Sequence, residues 1–399
     1  MWTLAQRLGE FGIGCTGLTI DWPTAVTRAN RIVHGCADPK PEHLTAHGAR
    51  LVQGIARLRD AHTVVVGDEA LTGEQIIVAT GVDVARPLIE GLQHAITHVE
   101  LLQVQQPPNR LAIIGGGLIA FEFAYMFARL GTRVDLFVRK RLLAGVDADV
   151  RDAVIGHSAG LGVTCHTGAH VQSIAPDGSG HRMVVADDEG ALQQFDADVV
   201  LLAAGQTPAV ADLGLEQAGV EATNAGIVTD ATLRTSVATI WAVGDVRAGA
   251  TKLSQTASSE GQLAARNAVL GRRDEVDERV VPYLIGLTPP VAAVGLTEEE
   301  ARDTGYEVGT HKQSYKDVCP AGKVVGEPVG FFKVVFDAKT GKILGAHAFG
   351  AGSPELVQQV AFALRGNLTL RDAGASLFMF PGLCEVVWYA LRPHPGDSL

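Results

Sequence analysis

The sequence predicts an α/β fold built on doubly wound parallel sheets, and three observations carry that prediction. A strand, a glycine turn, a helix and a second strand follow one another directly between Arg110 and Val138. A weak internal repeat sets a hairpin before a buried strand twice along the chain. Finally, 46 of the 399 residues are glycine, well above the ordinary ~7%, with no collagen period or low-complexity tract. Such glycines belong in specific turns and close backbone approaches.

Leu111-Ala112-Ile113-Ile114 is a short apolar run, and Gly115-Gly116-Gly117-Leu118-Ile119-Ala120 follows at once. Phe121 to Leu130 carries a helical pattern that Gly131 closes as C-cap. Thr132 to Val138 reads as the second strand, completing one βαβ unit. In Gly115-x-Gly117-x-x-Ala120 the first glycine permits a tight turn and the second lets backbone approach a pyrophosphate. The small Ala120 allows close helix–strand packing. Amides and dipole at the helix N-terminus then suit phosphates; the alternative is a purely structural turn. Val138-Arg139-Lys140-Arg141 ends the second strand with three cations where a carboxylate would hold a ribose 2′-hydroxyl. Guanidinium forks suit a 2′-phosphate, which favours NADP over NAD; the alternative is a solvated basic turn.

In the repeat, Thr63–Glu69 leads to Gln75–Gly81, and Met183–Glu189 leads to Asp198–Gly205. Apart from chance likeness among apolar strands, this reads as two copies of one dinucleotide-binding architecture. Gly115 lies upstream of Gly205, and the same interval counted back from Gly81 falls before Met1. Gly12-Ile13-Gly14-Cys15-Thr16-Gly17 follows no strand and opens no helix, so the first copy lacks its glycine turn. Thr239 to Asp245 is a further strand, ending in Gly244-Asp245. A carboxylate at the carboxyl end of a parallel strand is placed for a ligand's hydroxyls; a plain turn is the equal alternative.

Composition excludes several functions. A net charge of −11 argues against nucleic-acid or anionic-membrane partners. No apolar run reaches the length of a membrane span, and no signal peptide is visible. Cys15, Cys36, Cys165, Cys319 and Cys384 form neither Cys-x-x-Cys nor Cys-x-x-x-x-Cys. An odd cysteine count fits a reducing cytoplasm and inert, mostly buried thiols. His43 with His47, and His94 with His98, have helical spacing but no third ligand, so no metal is expected. Glu298-Glu299-Glu300 reads as the first turn of a helix capped by Thr297.

Taken in order, these residues resemble the flavin-dependent pyridine nucleotide–disulfide oxidoreductases. The segments that carry the resemblance are Ile77–Gly81, Ile114–Glu122, Ala204-Gly205-Gln206-Thr207-Pro208, Ile240–Val246, Val294–Ala301 and Gly330–Val335 through Ile343–His347. The resemblance implies two doubly wound dinucleotide-binding domains, the first incomplete and split around the second, and a C-terminal α+β dimerisation domain. Residues 1–106 and 229–281 would form the FAD-type domain, 107–228 the NAD(P) domain and 282–399 the homodimer interface. Thr80, Gly81, Gly244 and Asp245 would lie along FAD, with Asp245 on the ribityl chain. Gly115, Gly117 and Ala120 would hold NADP, with Arg139 and Lys140 or Arg141 on its 2′-phosphate. Gly205 would lie near the nicotinamide, with Gln206 in place of a frequent arginine. Glu122 matches a carboxylate that commonly pairs with a lysine and here needs another cation.

Three departures qualify the resemblance. The FAD glycine turn and the Cys-x-x-x-x-Cys relay are not found, and Phe380-Pro381-Gly382-Leu383-Cys384-Glu385 stands where the family has His-Pro-Thr-x-x-Glu. Phenylalanine transfers no proton, so Glu385 lacks the partner it would orient. Three missing amide bonds to a pyrophosphate correspond to ~5–9 kcal/mol, or about 10³- to 10⁶-fold in FAD affinity. The 399-residue chain is therefore expected to bind FAD poorly, or to be shorter than the functional one. The expected function is an NAD(P)H-dependent flavoprotein oxidoreductase that passes hydride from NADPH to flavin without a disulfide relay. The alternative is a catalytically silent or truncated nucleotide-binding homodimer.

Overall fold

Apolar runs and their periods set the element order in the computed structural model, which describes residues 2–37, 39–318 and 329–392. The N-terminal stretch is helical, with α1 (Trp22–Ala37) its longest element. Most of α1 is exposed; Val26 is half-buried against the core, and Trp22 is buried in it. Its indole donates to the Val104 carbonyl at 2.8 Å, and its ring lies 5.6 Å from that of Phe127. An antiparallel trio follows, β1 (Ala56–Asp60), β2 (Thr63–Val66) and β3 (Glu69–Thr72), then the short β4 (Ile76–Val78) and β5 (Val82–Val84).

The predicted parallel unit comes next as β6 (Arg110–Ile114), α2 (Leu118–Arg129), β7 (Arg133–Val138), α3 (Ala148–Ala159) and β8 (Val163–Thr167). A second antiparallel trio, β9 (His170–Asp177), β10 (Gly180–Ala186) and β11 (Leu192–Ala197), leads into β12 (Val199–Leu202). The parallel sheet runs β12-β6-β7-β8. Strand order reverses between β12 and β6, so the crevice at their carboxyl ends is where such a sheet takes a ligand. β13 (Gln206–Pro208) pairs antiparallel with β5, and β14 (Ile240–Ala242) pairs in parallel with β4. The helix α4 (Ser254–Leu270) closes this part of the chain.

The repeat read from sequence is present in space: each antiparallel trio feeds a short parallel strand. The copies differ beside that strand. β12 has β6 along one edge, whereas among the described residues β4 pairs with β14 alone. Ile77 in β4 accordingly stays 39% exposed. Packing also redraws a boundary. Leu215, Ala218, Val220 and Ile227 share a core with Leu58, Val78 and Ile240. The stretch after Pro208 thus packs with the first unit, although chain order placed it inside 107–228. Conversely, Trp22 and Leu101 lie in the core of the β6–β8 unit.

The C-terminal part is α+β, as expected. Its strands are β15 (Tyr283–Ile285), β16 (Val291–Gly295), then, after α5 (Glu298–Asp303), β17 (Val308–Ser314), β18 (Gly330–Asp337) and β19 (Ile343–Gly350). They form an antiparallel sheet ordered β15-β16-β19-β18-β17, followed by α6 (Ser353–Arg365) and α7 (Glu385–Leu391). Val294, Phe332, Val334 and Ala346 pack with Leu356, Val360 and Val387 of the two helices. On the other face Val291, Phe331 and Phe349 join the core of the β6–β8 unit. One apolar core therefore spans both units and sets their relative position. Thr297 and Glu300 close a capping box at the start of α5, as its acidic first turn predicts. Among the described residues no helix is long and apolar enough to cross a membrane.

Because Trp22 is the buried anchor of α1, with Val26 packed beside it, Trp22→Ala should cost about 3–5 kcal/mol of stability. Hydrogen exchange should rise over residues 22–37 while β6 and β7 stay protected. Unchanged exchange in that helix would show that it is held elsewhere.

Candidate functional site

The glycine turn after β6 stands in the context its sequence predicts. Gly115 has φ +138°, and a Cβ there would lie 2.0 Å from the Ala203 carbonyl oxygen. Gly116 is also required, since its Cβ would fall 2.6 Å from Val138 Cγ1; the sequence reading gave it no role. Gly117 caps α2, and a Cβ there would meet nothing within 4 Å. That open space, beside first-turn amides that no helical carbonyl satisfies, fits a dinucleotide pyrophosphate. Ala120 is fully buried against the sheet.

The second crevice lies where β4 and β14 end side by side, with the Val243 amide donating to the Val78 carbonyl at 3.0 Å. Thr80-Gly81 and Gly244-Asp245 leave these adjacent ends together, and both glycines adopt positive φ, +72° and +69°. Asp245 is half-buried. The Thr80 hydroxyl donates to the Ala209 carbonyl at 2.9 Å, and the Ala209 amide donates to the Gly81 carbonyl at 2.9 Å. Through the β5–β13 pair, the Ala85 amide also reaches the Gly205 carbonyl at 3.0 Å. Gly205 of one copy and Gly81 of the other therefore share one two-stranded link. Behind Gly244 lies a buried cluster that the sequence reading missed. Glu260 accepts the Gly244 amide at 2.7 Å and Arg247 Nη2 at 2.8 Å, and Arg247 also reaches Glu278 at 2.6 Å. Its only local signal is that Glu260 is the one acid in α4.

Among the other candidate residues, Arg141 and Glu122 find partners that spacing does not predict. Arg139 and Lys140 are exposed on the turn after β7, whereas Arg141 is paired with Glu299 at 3.0 Å. Glu122 has no cation partner among the described residues; its Oε1 accepts the Gly286 amide at 2.7 Å. Glu385 is buried and accepts the Gly382 amide at 3.1 Å, bonding the turn before its own helix rather than an acid–base side chain. Cys15 and Cys36 are exposed, which corrects the expectation of mostly buried thiols; Cys384 is buried and Cys319 lies outside the described residues. Burial pushes the Cys165 thiol up from its ordinary value. Gly156-His157-Ser158-Ala159-Gly160 spells Gly-x-Ser-x-Gly, yet Ser158 is fully buried in α3 and donates to the Ile155 carbonyl at 2.8 Å. It is no exposed nucleophile. Among the described residues no three His, Cys, Asp or Glu side chains cluster as a metal site would need.

A polar row crosses the C-terminal sheet toward the nucleotide unit. Lys312, Lys333, His347, Ala293 and Tyr283 are register partners across five strands. Lys333, 2% exposed, donates to Asp147 at 3.0 Å, Asp149 at 2.7 Å and Glu298 at 2.8 Å, and Lys312 reaches Asp149 at 2.6 Å. Asp147 is the N-cap of α3, where its Oδ1 accepts the Asp149 amide. Burial alone would lower Lys333, but its carboxylate partners outweigh that and hold it above its ordinary value. Burial likewise opposes ionised Asp149, and the two lysines overcome it and hold the carboxyl below its usual range. Hydrogen bonds from Lys333 and then Arg302 lower Glu298. Beside them burial lowers His347, and burial followed by the Glu300 charge pushes Tyr283 up to about 12.

Removing the lysine strands the buried Asp147, so Lys333→Met should cost about 3–5 kcal/mol. The carboxylates depressed on folding stabilise the wild type above their unfolded values near ~4, and that contribution disappears as pH falls through the folded values. The raised lysine stabilises it below ~10.4, and that contribution disappears at higher pH. Thermal midpoints should therefore separate wild type from Lys333→Met most widely between these limits and converge in acid. Equal midpoints at neutral pH would rule the cluster out as a stabilising contact.

Comparison with known proteins agrees with this architecture. The pattern of the Pyridine nucleotide-disulphide oxidoreductase family matches residues 25–261, and that of its dimerisation domain matches 281–391. A mercuric reductase from Bacillus cereus is 33% identical over 399 residues, covering 99% of this chain and 63% of the relative. A dihydrolipoyl dehydrogenase from Chlorobaculum tepidum is 32% identical, covering 96% of this chain and 83% of the relative. Among solved structures, the HOCl-induced flavoprotein disulfide reductase RclA from Escherichia coli superposes with a TM-score of 0.83 at 28% identity, covering 92% of this chain and 85% of that one. The chain thus spans less than two thirds of the mercuric reductase and most of the other two. Its βαβ glycine turn, its paired strand-end crevices and its C-terminal sheet all occur in the order that these matches follow, and the chain belongs to the pyridine nucleotide-disulphide oxidoreductase family.

Proposed function

We propose that the chain acts as an NAD(P)H-dependent flavoprotein oxidoreductase that takes NADPH at the β12–β6 crevice. The observation that carries this reading is convergence. The β5–β13 link joins the strand ends of both copies, so the two crevices open onto one zone. Gly115, Gly117 and the α2 amides would hold the pyrophosphate, with Ala120 keeping helix and strand close. Arg139 and Lys140 would take the 2′-phosphate through charge-assisted bonds of about 1.5–3 kcal/mol each. Gly205, with no side chain, leaves room for a nicotinamide ring. Thr80, Gly81, Gly244 and Asp245 would line a flavin, with Asp245 on the polyol hydroxyls. A bound flavin supplies a two-electron acceptor for hydride.

The fit to FAD is uneven, because the described residues offer a polyol partner but no second glycine turn between strand and helix. Within these 399 residues no Cys-x-x-x-x-Cys is present to relay electrons, so the reading gives the flavin's electrons to an acceptor of the quinone, dye or oxygen class. The dimerisation-domain match and the exposed Phe362, Leu377, Met379 and Phe380 support a homodimer. A second reading, a nucleotide-binding dimer without turnover, is favoured by the open edge of β4.

Purified chain with stoichiometric flavin absorbance and NADPH oxidation would establish the first reading; nucleotide binding without flavin would establish the second. Arg139→Ser with Lys140→Ser should weaken NADPH by about tenfold or more while leaving NADH within about twofold. Tighter wild-type binding of NADH than of NADPH would sink the NADP assignment.

A further inference from the structure

Of the three cations after β7, Arg141 alone is held by a carboxylate among the described residues. Its Nη2 donates to Glu299 Oε2 at 3.0 Å across a sequence separation of 158 residues. The two side chains are 45% and 63% exposed, so the pair is weak enough for a stronger anion to displace. Neither end is free to drift. Glu298, next to Glu299, is bonded to the buried Lys333, and the capping box at Thr297 fixes the same turn of α5. On the other side, the Leu143 amide donates to the Gly116 carbonyl at 2.7 Å and keeps the cationic turn against the glycine turn. A carboxylate of the C-terminal domain is thereby fixed beside the turn that meets the nucleotide ribose.

We propose, resting on the NADP reading above, that Glu299 is a specificity-determining residue that competes with the 2′-phosphate for Arg141. A dinucleotide with a 2′-hydroxyl brings no anion to this turn and leaves the pair intact. A 2′-phosphate brings a dianion whose oxygens suit a guanidinium fork better than an exposed carboxylate does. Arg141 then changes partner, and the carboxylate it leaves faces the incoming phosphate as a like charge. Breaking the pair burdens NADP alone, so Glu299 narrows the margin between the two nucleotides.

Calorimetric titration of the purified chain with NADP⁺ and with NAD⁺ tests this without turnover. Glu299→Gln should tighten NADP⁺ by about two- to fivefold, the weight of an exposed ion pair, and leave NAD⁺ unchanged. The gain should disappear in the double variant Glu299→Gln/Arg141→Gln. Because both side chains are exposed, neither substitution threatens folding. Wild type that favours NADP⁺, with no gain in Glu299→Gln or an equal gain for both nucleotides, overturns the role of Glu299 alone. No preference for NADP⁺ in either the wild type or Glu299→Gln overturns the NADP reading and this inference together.

Discussion

A lysine with 2% of its surface exposed sits among three carboxylates, and the geometry of the nucleotide crevice depends on it. Lys333 comes from the middle of the C-terminal sheet, while Asp147 and Asp149 begin α3 of the nucleotide unit. A buried charge this deep stays ionised only if its partners replace the lost water, and three short contacts do so. Compared with a well-packed apolar group, such a cluster adds little net stability. Its consequence is position. Asp147 is the N-cap of α3, the turn before it carries Arg139 to Arg141, and that turn is bonded to Gly116. The chain of contacts runs from the far sheet to the glycine turn without passing through solvent.

The parts of the fold that sequence reveals are those with local causes. A strand, three glycines and a helical period over 110–138 need no distant information, and the repeat of trio and strand is likewise a local pattern copied twice. Pairing is different. Arg139, Lys140 and Arg141 are equivalent in sequence, and only the placement of α5 singles out Arg141. Glu122 finds a backbone amide 164 residues away, which no spacing rule predicts. The packing across the boundary at 228 escapes sequence for the same reason. Chain order assigned Leu215 and Ile227 to the unit they follow, while their apolar faces fit the core around Leu58 and Ile240.

Within one motif, glycine is required for opposite reasons. At Gly115 and Gly116 a Cβ would collide with protein, so the absence of a side chain closes the structure on itself. At Gly117 a Cβ would collide with nothing, so its absence leaves room for something that is not protein. Sequence alone shows three equal letters; the contacts separate two packing glycines from one beside open space.

The same distinction applies between the two crevices. Behind the Gly244-Asp245 turn, Glu260 is satisfied by an amide and a guanidinium, so this turn too is braced by buried charge. Bracing fixes the turn that carries Asp245 but supplies no α-helix N-terminus directly after it. The β12–β6 crevice has both, because β6 runs directly into the glycine turn and α2. Beside β4 the described residues contain no equivalent of β6, and Ile77 stays exposed there. The two strand-end turns are thus both braced, and of the two only the one at the β12–β6 crevice opens an α-helix among the described residues.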